Sequence, residues 1–259
     1  MKTEKLIRDK KKMILVILIL IAVLLVTVTG VHLHTDSVKK HHAEDAVTEV
    51  VTDLQKGKIK EADQLLGKKA SGTLDTSSMS ADTYMKTIVS ALGYTSGDAD
   101  QDAKDSWNDL LKAGGADDTV VKNMKKLDQA LKDHVITSYE LSGTDLKNDT
   151  ATVSVEVTGI ILLPKVSFAS DVQKANEKLA DYVNDHMDDL TATYNKVYAD
   201  PNGHADASMN AQLKKEEMDD LIPAMTKRVK KAKTSEETWT FQVDVSSDHG
   251  KIQSVSVSQ

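Results

Sequence analysis

The chain contains no cysteine. That excludes disulfides, thiol nucleophiles, lipid attachment through a cysteine, and cysteine-ligated metals. Aromatic side chains are nearly as scarce: two Phe and two Trp leave Val, Leu, Ile, Met and Ala to build the core. Gly-x-Ser-x-Gly, the phosphate-binding glycine loop and the dinucleotide fingerprint are all missing, which counts against the commonest hydrolase, nucleotide and dinucleotide chemistries. Positive charge is also short. Setting aside the six basic and two acidic residues of positions 1–12 leaves 27 Lys and Arg against 38 Asp and Glu, a net of −11. An acidic surface argues against nucleic acid as a partner, because phosphate backbones need a basic face. It argues equally against lying flat on anionic lipid.

What is present begins with Met13 to Val31, 19 consecutive residues without a charge. At about 1.5 Å per residue, a helix of that length crosses most of a ~30 Å hydrocarbon core. Lys2, Lys5, Arg8, Lys10, Lys11 and Lys12 precede it against only Glu4 and Asp9. Positive flanks stay on the cytoplasmic side. The expectation is a cytoplasmic basic tail (1–12), a single transmembrane anchor (13–33) and an extracytoplasmic domain (34–259). The competing reading is a cleaved secretory signal. Its apolar region is usually shorter, and Val28-Thr29-Gly30 is a poor cleavage triplet. The uncleaved anchor is therefore preferred, with the lipid bilayer engaged through residues 13–33.

Past a polar hinge, Val47, Val50, Val51 and Leu54 keep the i, i+3, i+4, i+7 spacing of a buried helical stripe. Gly57 stands where a terminator belongs, and a short helix with Ile59, Ala62, Leu65 and Leu66 runs to Gly67. The Ser/Thr-rich segment Lys68 to Ser80 reads as a loop. Helices are expected over Ala81–Leu92, Asp102–Lys112 and Asp117–Asp133. The period then changes from 3.6 to 2. Val135, Thr137, Tyr139 and Leu141 alternate, Lys147-Asn148-Asp149 turns, and Ala151, Val153, Val155, Val157 return. A second hairpin pairs Trp239, Phe241, Val243 and Val245 with Ile252 to Val257 around Asp248-His249-Gly250. Between the hairpins, one apolar stripe runs from Val172 to Val197. Asp200-Pro201-Asn202-Gly203 turns the chain, and a return helix follows that Pro223 is expected to kink or split. The fold class is α+β: helical 36–133, hairpin 135–161, helical insertion 168–232 and hairpin 236–258.

The segment Ala46-Val47-Thr48-Glu49-Val50-Val51-Thr52-Asp53-Leu54-Gln55-Lys56-Gly57-Lys58-Ile59-Lys60-Glu61-Ala62 resembles the opening of nuclear-transport-factor-2-like (cystatin-like cone) domains. Leu141 to Val155 looks like that family's usual hairpin, and Trp239 to Val257 like its last two strands. The resemblance covers about a third of the chain. It implies helices packed on a curved antiparallel sheet of two hairpins, here with an inserted αα-hairpin. It also implies an anchored protein on the outer membrane face of Gram-positive bacteria. It carries over no catalytic residue.

Three clusters could hold a metal. Asp98, Asp100, Asp102 and Asp109 stand at positions 1, 3, 5 and 12 of a calcium loop. Ala103 occupies its glycine position and Asp105 a usually apolar one, so a helix cap and solvated loop is the better reading. His32, His34, His41 and His42 gather after the apolar run, but no further ligand closes a zinc site. His186 has Asp185, Asp188 and Asp189 nearby without the Glu-x-x-His pattern of helical metal sites. No metal, cofactor or catalytic residue is assigned. The expected function is a membrane-anchored, extracytoplasmic, non-catalytic binding or interaction module for an envelope protein or small ligand. The alternative is a cell-envelope enzyme using polar residues in a cone pocket, with Tyr139 the best-placed titratable group.

Overall fold

The computed structural model describes residues 35–94, 106–198, 204–246 and 249–258; of 196–198 and 204–212 it describes the backbone alone. Residues 1–33, which hold the expected tail and anchor, lie outside them, as does the Asp200-to-Gly203 turn. Helix α1 (35–55) buries Ala43, Val47, Val50, Val51 and Leu54, the stripe its spacing predicts. It ends because Gly57 adopts φ +72°. The Gly57 N–H then reaches the Leu54 carbonyl at 3.0 Å and the Lys58 N–H the Asp53 carbonyl at 2.8 Å. That pair of bonds needs a left-handed residue, which glycine adopts without steric cost.

Helix α2 (Ile59–Leu74) bends at Gly67 (φ 70°, ψ 163°) and then resumes. The loop expected over Lys68 to Ser80 is therefore corrected: α2 continues to Leu74, and α3 (Thr76–Met79) follows. Ser71 and Thr76, which weigh towards a loop by composition, both donate their hydroxyls to Asp63 Oδ1. Ala70, Leu74 and Met79 go into the core. Polar side chains satisfied in this way cost the helix little.

Helices α4 (Ala81–Ala91), α5 (Trp107–Ala113) and α6 (Asp118–Val135) have side-chain N-caps: Ser80, Ser106 and Asp117 accept from Thr83, Asp109 and Val120 N–H respectively. Each removes one orphan donor from a helix start. Helix α5 thus starts at Trp107 rather than Asp102, and residues 101–105 lie outside the described residues.

Strands β1 (Ser138–Lys147), β2 (Thr150–Gly159), β3 (Ser235–Asp244) and β4 (Lys251–Ser258) form one antiparallel sheet in the order β1-β2-β3-β4. Its two faces are unlike. Ala151, Val153, Val155, Val157, Trp239, Phe241 and Val243 are all at 0% exposure, whereas Thr152, Ser154, Glu156 and Thr158 point outward. Helix α1 crosses the apolar face lengthwise. Its start is held where Lys39 meets Asp149 (2.7 Å), its end where Gln55 donates to the Ile136 carbonyl (3.4 Å). At Gly250 a Cβ would lie 2.8 Å from the His42 carbonyl oxygen, so only glycine lets the last hairpin approach α1 this closely.

The insertion between β2 and β3 holds α7 (Ala169–Asp185), α8 (Met187–Tyr198) and α9 (His204–Lys230). The long stripe expected to be one helix is divided at His186, whose φ of −114° leaves the helical range. Helix α9 is continuous through Pro223, which lies on its exposed side, so the expected split does not occur. Met218, Leu221, Ile222, Met225 and Val229 bury its second half against α6. Helices α7 and α8 pack on α9, and past Ala175 none of their described side chains is buried.

Candidate functional site

The sheet's apolar face carries two titratable side chains among the described strand residues, Tyr139 and Glu237. Tyr139 shares a 2.8 Å hydrogen bond with the Thr52 hydroxyl of α1. Glu237, 7% exposed, accepts from the Trp239 indole Nε1 at 3.2 Å. Each has a structural partner, and between them the centre of the face is packed with Val155, Trp239 and Phe241. Burying a carboxylate without a donor would be costly, which explains why an indole stands beside Glu237. Sequence reading singled out Tyr139 and missed Glu237, although its place in the β3 alternation marks it as inward-facing.

The metal candidates are dispersed. Asp98, Asp100 and Asp102 lie outside the described residues. Asp109 sits in the first turn of α5, where its carboxylate accepts from the Ser106 hydroxyl at 2.7 Å. His32 and His34 also lie outside, and His41 faces Glu44 at 3.7 Å. His186 closes α7: its ring stacks on Tyr182 with centroids 4.2 Å apart, and its Nδ1 lies 2.9 Å from the Tyr182 carbonyl. Asp185, Asp188 and Asp189 around it are exposed.

Two places not foreseen from sequence have the shape of sites. The first is a cleft of about 310 Å³ between α1 and the last hairpin, lined by His42, Asp45, Glu49 and His249. His42, Asp45 and Glu49 share one helical face by their i, i+3, i+7 spacing. Among the described residues, however, no three acidic or histidine side chains converge closely enough to hold a metal ion.

The second is a run of adjoining clefts where the end of α9 meets α6, α7 and the approach to β3. Lys126, Lys174, Lys227, Lys230, Lys231 and Lys233 line it, with Asp171 as the one carboxylate. Asp171 is bound by Arg228 through both guanidinium Nε and Nη2, which pins the start of α7 to the end of α9. The sequence signal was the run Lys227-Arg228-Val229-Lys230-Lys231-Ala232-Lys233, concealed by an acidic total.

A half-buried polar contact fixes α9 higher up. Lys214 Nζ lies 3.6 Å from the Tyr94 ring centroid and donates to the Gly93 carbonyl at 2.9 Å. Burial lowers the Lys214 pKa and pushes that of Tyr94 up to about 12, helped by the negative charges of Asp117, Glu217 and Asp219. Here the ammonium meets a ring face and a helix-terminal carbonyl, a tethering arrangement.

No protein-family model matches the chain, and neither a curated protein nor a solved structure shows significant similarity to it.

Proposed function

We propose that this protein is a non-catalytic binding module held on the outer face of a membrane by residues 13–33. The observation that carries the reading is the state of the sheet's inward polar groups. Tyr139 and Glu237 are engaged by Thr52 and Trp239, so they serve the core rather than a substrate. The tether rests on the 19-residue uncharged run and its basic flank. Among the described residues no helix is long and apolar enough to cross a membrane, which leaves that run as the anchor in this reading. Helix α1 is already helical at position 35 and is built into the core, so in this reading the domain stands close to its tether.

Helix α1, the Gly57 turn and the first half of α2 ahead of a four-stranded antiparallel sheet, with α3 to α6 before it and α7 to α9 inserted after β2, support reading this domain as nuclear-transport-factor-2-like. A cell-envelope enzyme is the second reading, favoured by the cleft of His42, Asp45, Glu49 and His249. Protease added to intact, wall-stripped cells separates location from activity. It should digest residues 34–259 and leave a membrane-embedded stub. A mature protein in the medium beginning near Val31 would contradict the anchor. Zinc-dependent hydrolysis lost in His42→Ala would replace the binding reading with the enzymatic one.

A further inference from the structure

The basic clefts at the end of α9 are out of character with the rest of this chain. Its net charge is −7, and six of its other lysines, Lys39, Lys58, Lys86, Lys132, Lys178 and Lys215, each reach an aspartate. Lys126, Lys174, Lys227, Lys230, Lys231 and Lys233 reach no carboxylate among the described residues. All six are exposed. The plain explanation is the helix dipole, which favours cations in a last turn. It accounts for Lys227 and Lys230. It does not account for Lys233 beyond the helix, nor for Lys126 and Lys174 on neighbouring helices that run through the same clefts. Like charges gathered in this way repel one another until an anion covers them.

We infer that the Lys126–Lys174–Lys227–Lys230–Lys231–Lys233 surface binds a linear, phosphate-bearing polyanion. Several features select that ligand. The charges are spread over adjoining clefts, two of which share Lys227 and Lys231 while the third joins them at Arg228 and Lys233, a track for repeated charges rather than a cup for one small anion. Five residues of the clefts' apolar lining, Pro223, Ala224, Ala232, Ile160 and Val166, offer no aromatic ring. Nucleobases would lack a stacking platform. Lysine ammoniums act as point charges and tolerate the variable geometry of a flexible phosphate chain.

Position also bears on the source. Lys39 at the start of α1 lies against Asp149, and His42 against Gly250, at one end of the sheet. Residues 227–233 lead into Ser235, which pairs with Gly159 at the other end, near Ile136 and the end of α1. Lys39 and Gln55 stand 16 residues apart on α1, which separates these ends by about 24 Å. The inference rests on the tethered-module reading at this point: with residues 13–33 in the membrane, the lysines face away from it. A polymer outside the bilayer can reach them, and headgroups of the anchoring leaflet cannot.

The test uses the full chain in non-ionic detergent and long-chain inorganic polyphosphate, so its outcome does not depend on cellular topology. Polyphosphate should bind, and Lys227→Glu/Lys230→Glu/Lys231→Glu should weaken binding at least about tenfold. The slope of log affinity against log salt should fall by about 2, from ~0.7 for each of three lost phosphate contacts. Lys60→Glu/Lys68→Glu/Lys69→Glu makes the same charge change on the exposed side of α2 and should alter affinity less than about twofold. The triple glutamine variant, which adds no negative charge, should show the same ranking if the glutamate variant fails to fold. Equal losses at both places would reduce the effect to net charge and overturn the proposal. So would competition per charge as strong from orthophosphate, poly-glutamate or short-chain phosphatidylglycerol, which would assign the surface to a small anion, an acidic peptide or lipid respectively.

Discussion

The sheet with α1 and the α7–α8 pair carry the same kind of sequence signal and meet opposite fates. Apolar residues recur regularly in both. In β2 and β3 every second side chain from Val153 to Val157 and from Trp239 to Val243 is at 0% exposure. In α7 and α8, Val172, Met187 and Tyr194 stay 36%, 49% and 48% exposed. The difference lies in what covers them. The sheet is closed by α1 and the helices behind it, whereas among the described residues α7 and α8 lean mainly on α9. Periodicity reports which residues can share a face, and burial depends on whether the fold supplies a partner.

The largest expected effect falls on the covered region. Val155→Asp would place an unpaired carboxylate at the centre of the sheet and cost several kcal/mol, enough to unfold a domain of ordinary stability. Thr152→Asp, on the outer face, should cost well under 1 kcal/mol. Denaturant midpoints of the two variants measure this directly, and equal losses would mean that the outer face is covered as well.

An intermediate effect is expected where α9 is tied to α4. The Tyr94 pKa is raised from about 10 to about 12, so its neutral form belongs to the folded state. A raised folded pKa gives stability that is complete below the unfolded value and lost as pH climbs through the folded one. Stability should therefore fall between about pH 10 and about pH 12, more steeply than in Tyr94→Phe, which has no phenol to ionise. Urea midpoints across that interval check it; parallel curves for the two proteins would place Tyr94 in water.

The smallest effect belongs to the arm. Met187→Ser with Tyr194→Ser removes two large exposed side chains and should shift stability by less than about 0.5 kcal/mol. A loss above about 2 kcal/mol would mean that these residues are covered, and the contrast between the two regions would fail.

Much of this was readable from the sequence, and the failures have physical causes. Strands β2 and β3 were legible because a sheet with one wet face writes its alternation directly into the chain, as Thr152 and Ser154 do between Ala151, Val153 and Val155. Helix α6 was legible because Val120, Val121, Met124, Leu127 and Leu131 share one face. The second half of α2 was not, because Ser71 and Thr76 look like loop residues until Asp63 is seen to accept both hydroxyls. The break at His186 was hidden under an unbroken apolar stripe. The site was harder still. Glu237 stood in a readable alternation but drew no notice, and the lysine surface was averaged away by the carboxylates of the whole chain. Only folding brings Lys126 and Lys174 beside the end of α9.

Hydrogen exchange on the full chain in detergent tests the contrast most directly. Opening a packed sheet requires near-global unfolding, while an arm leaning on one helix opens locally. Amides of Val153, Val155, Trp239 and Phe241 should be the slowest to exchange, and those of α8 should exchange orders of magnitude faster. Protection in α8 equal to that in β2 would contradict the account, because the arm would then belong to the same cooperative core as the sheet.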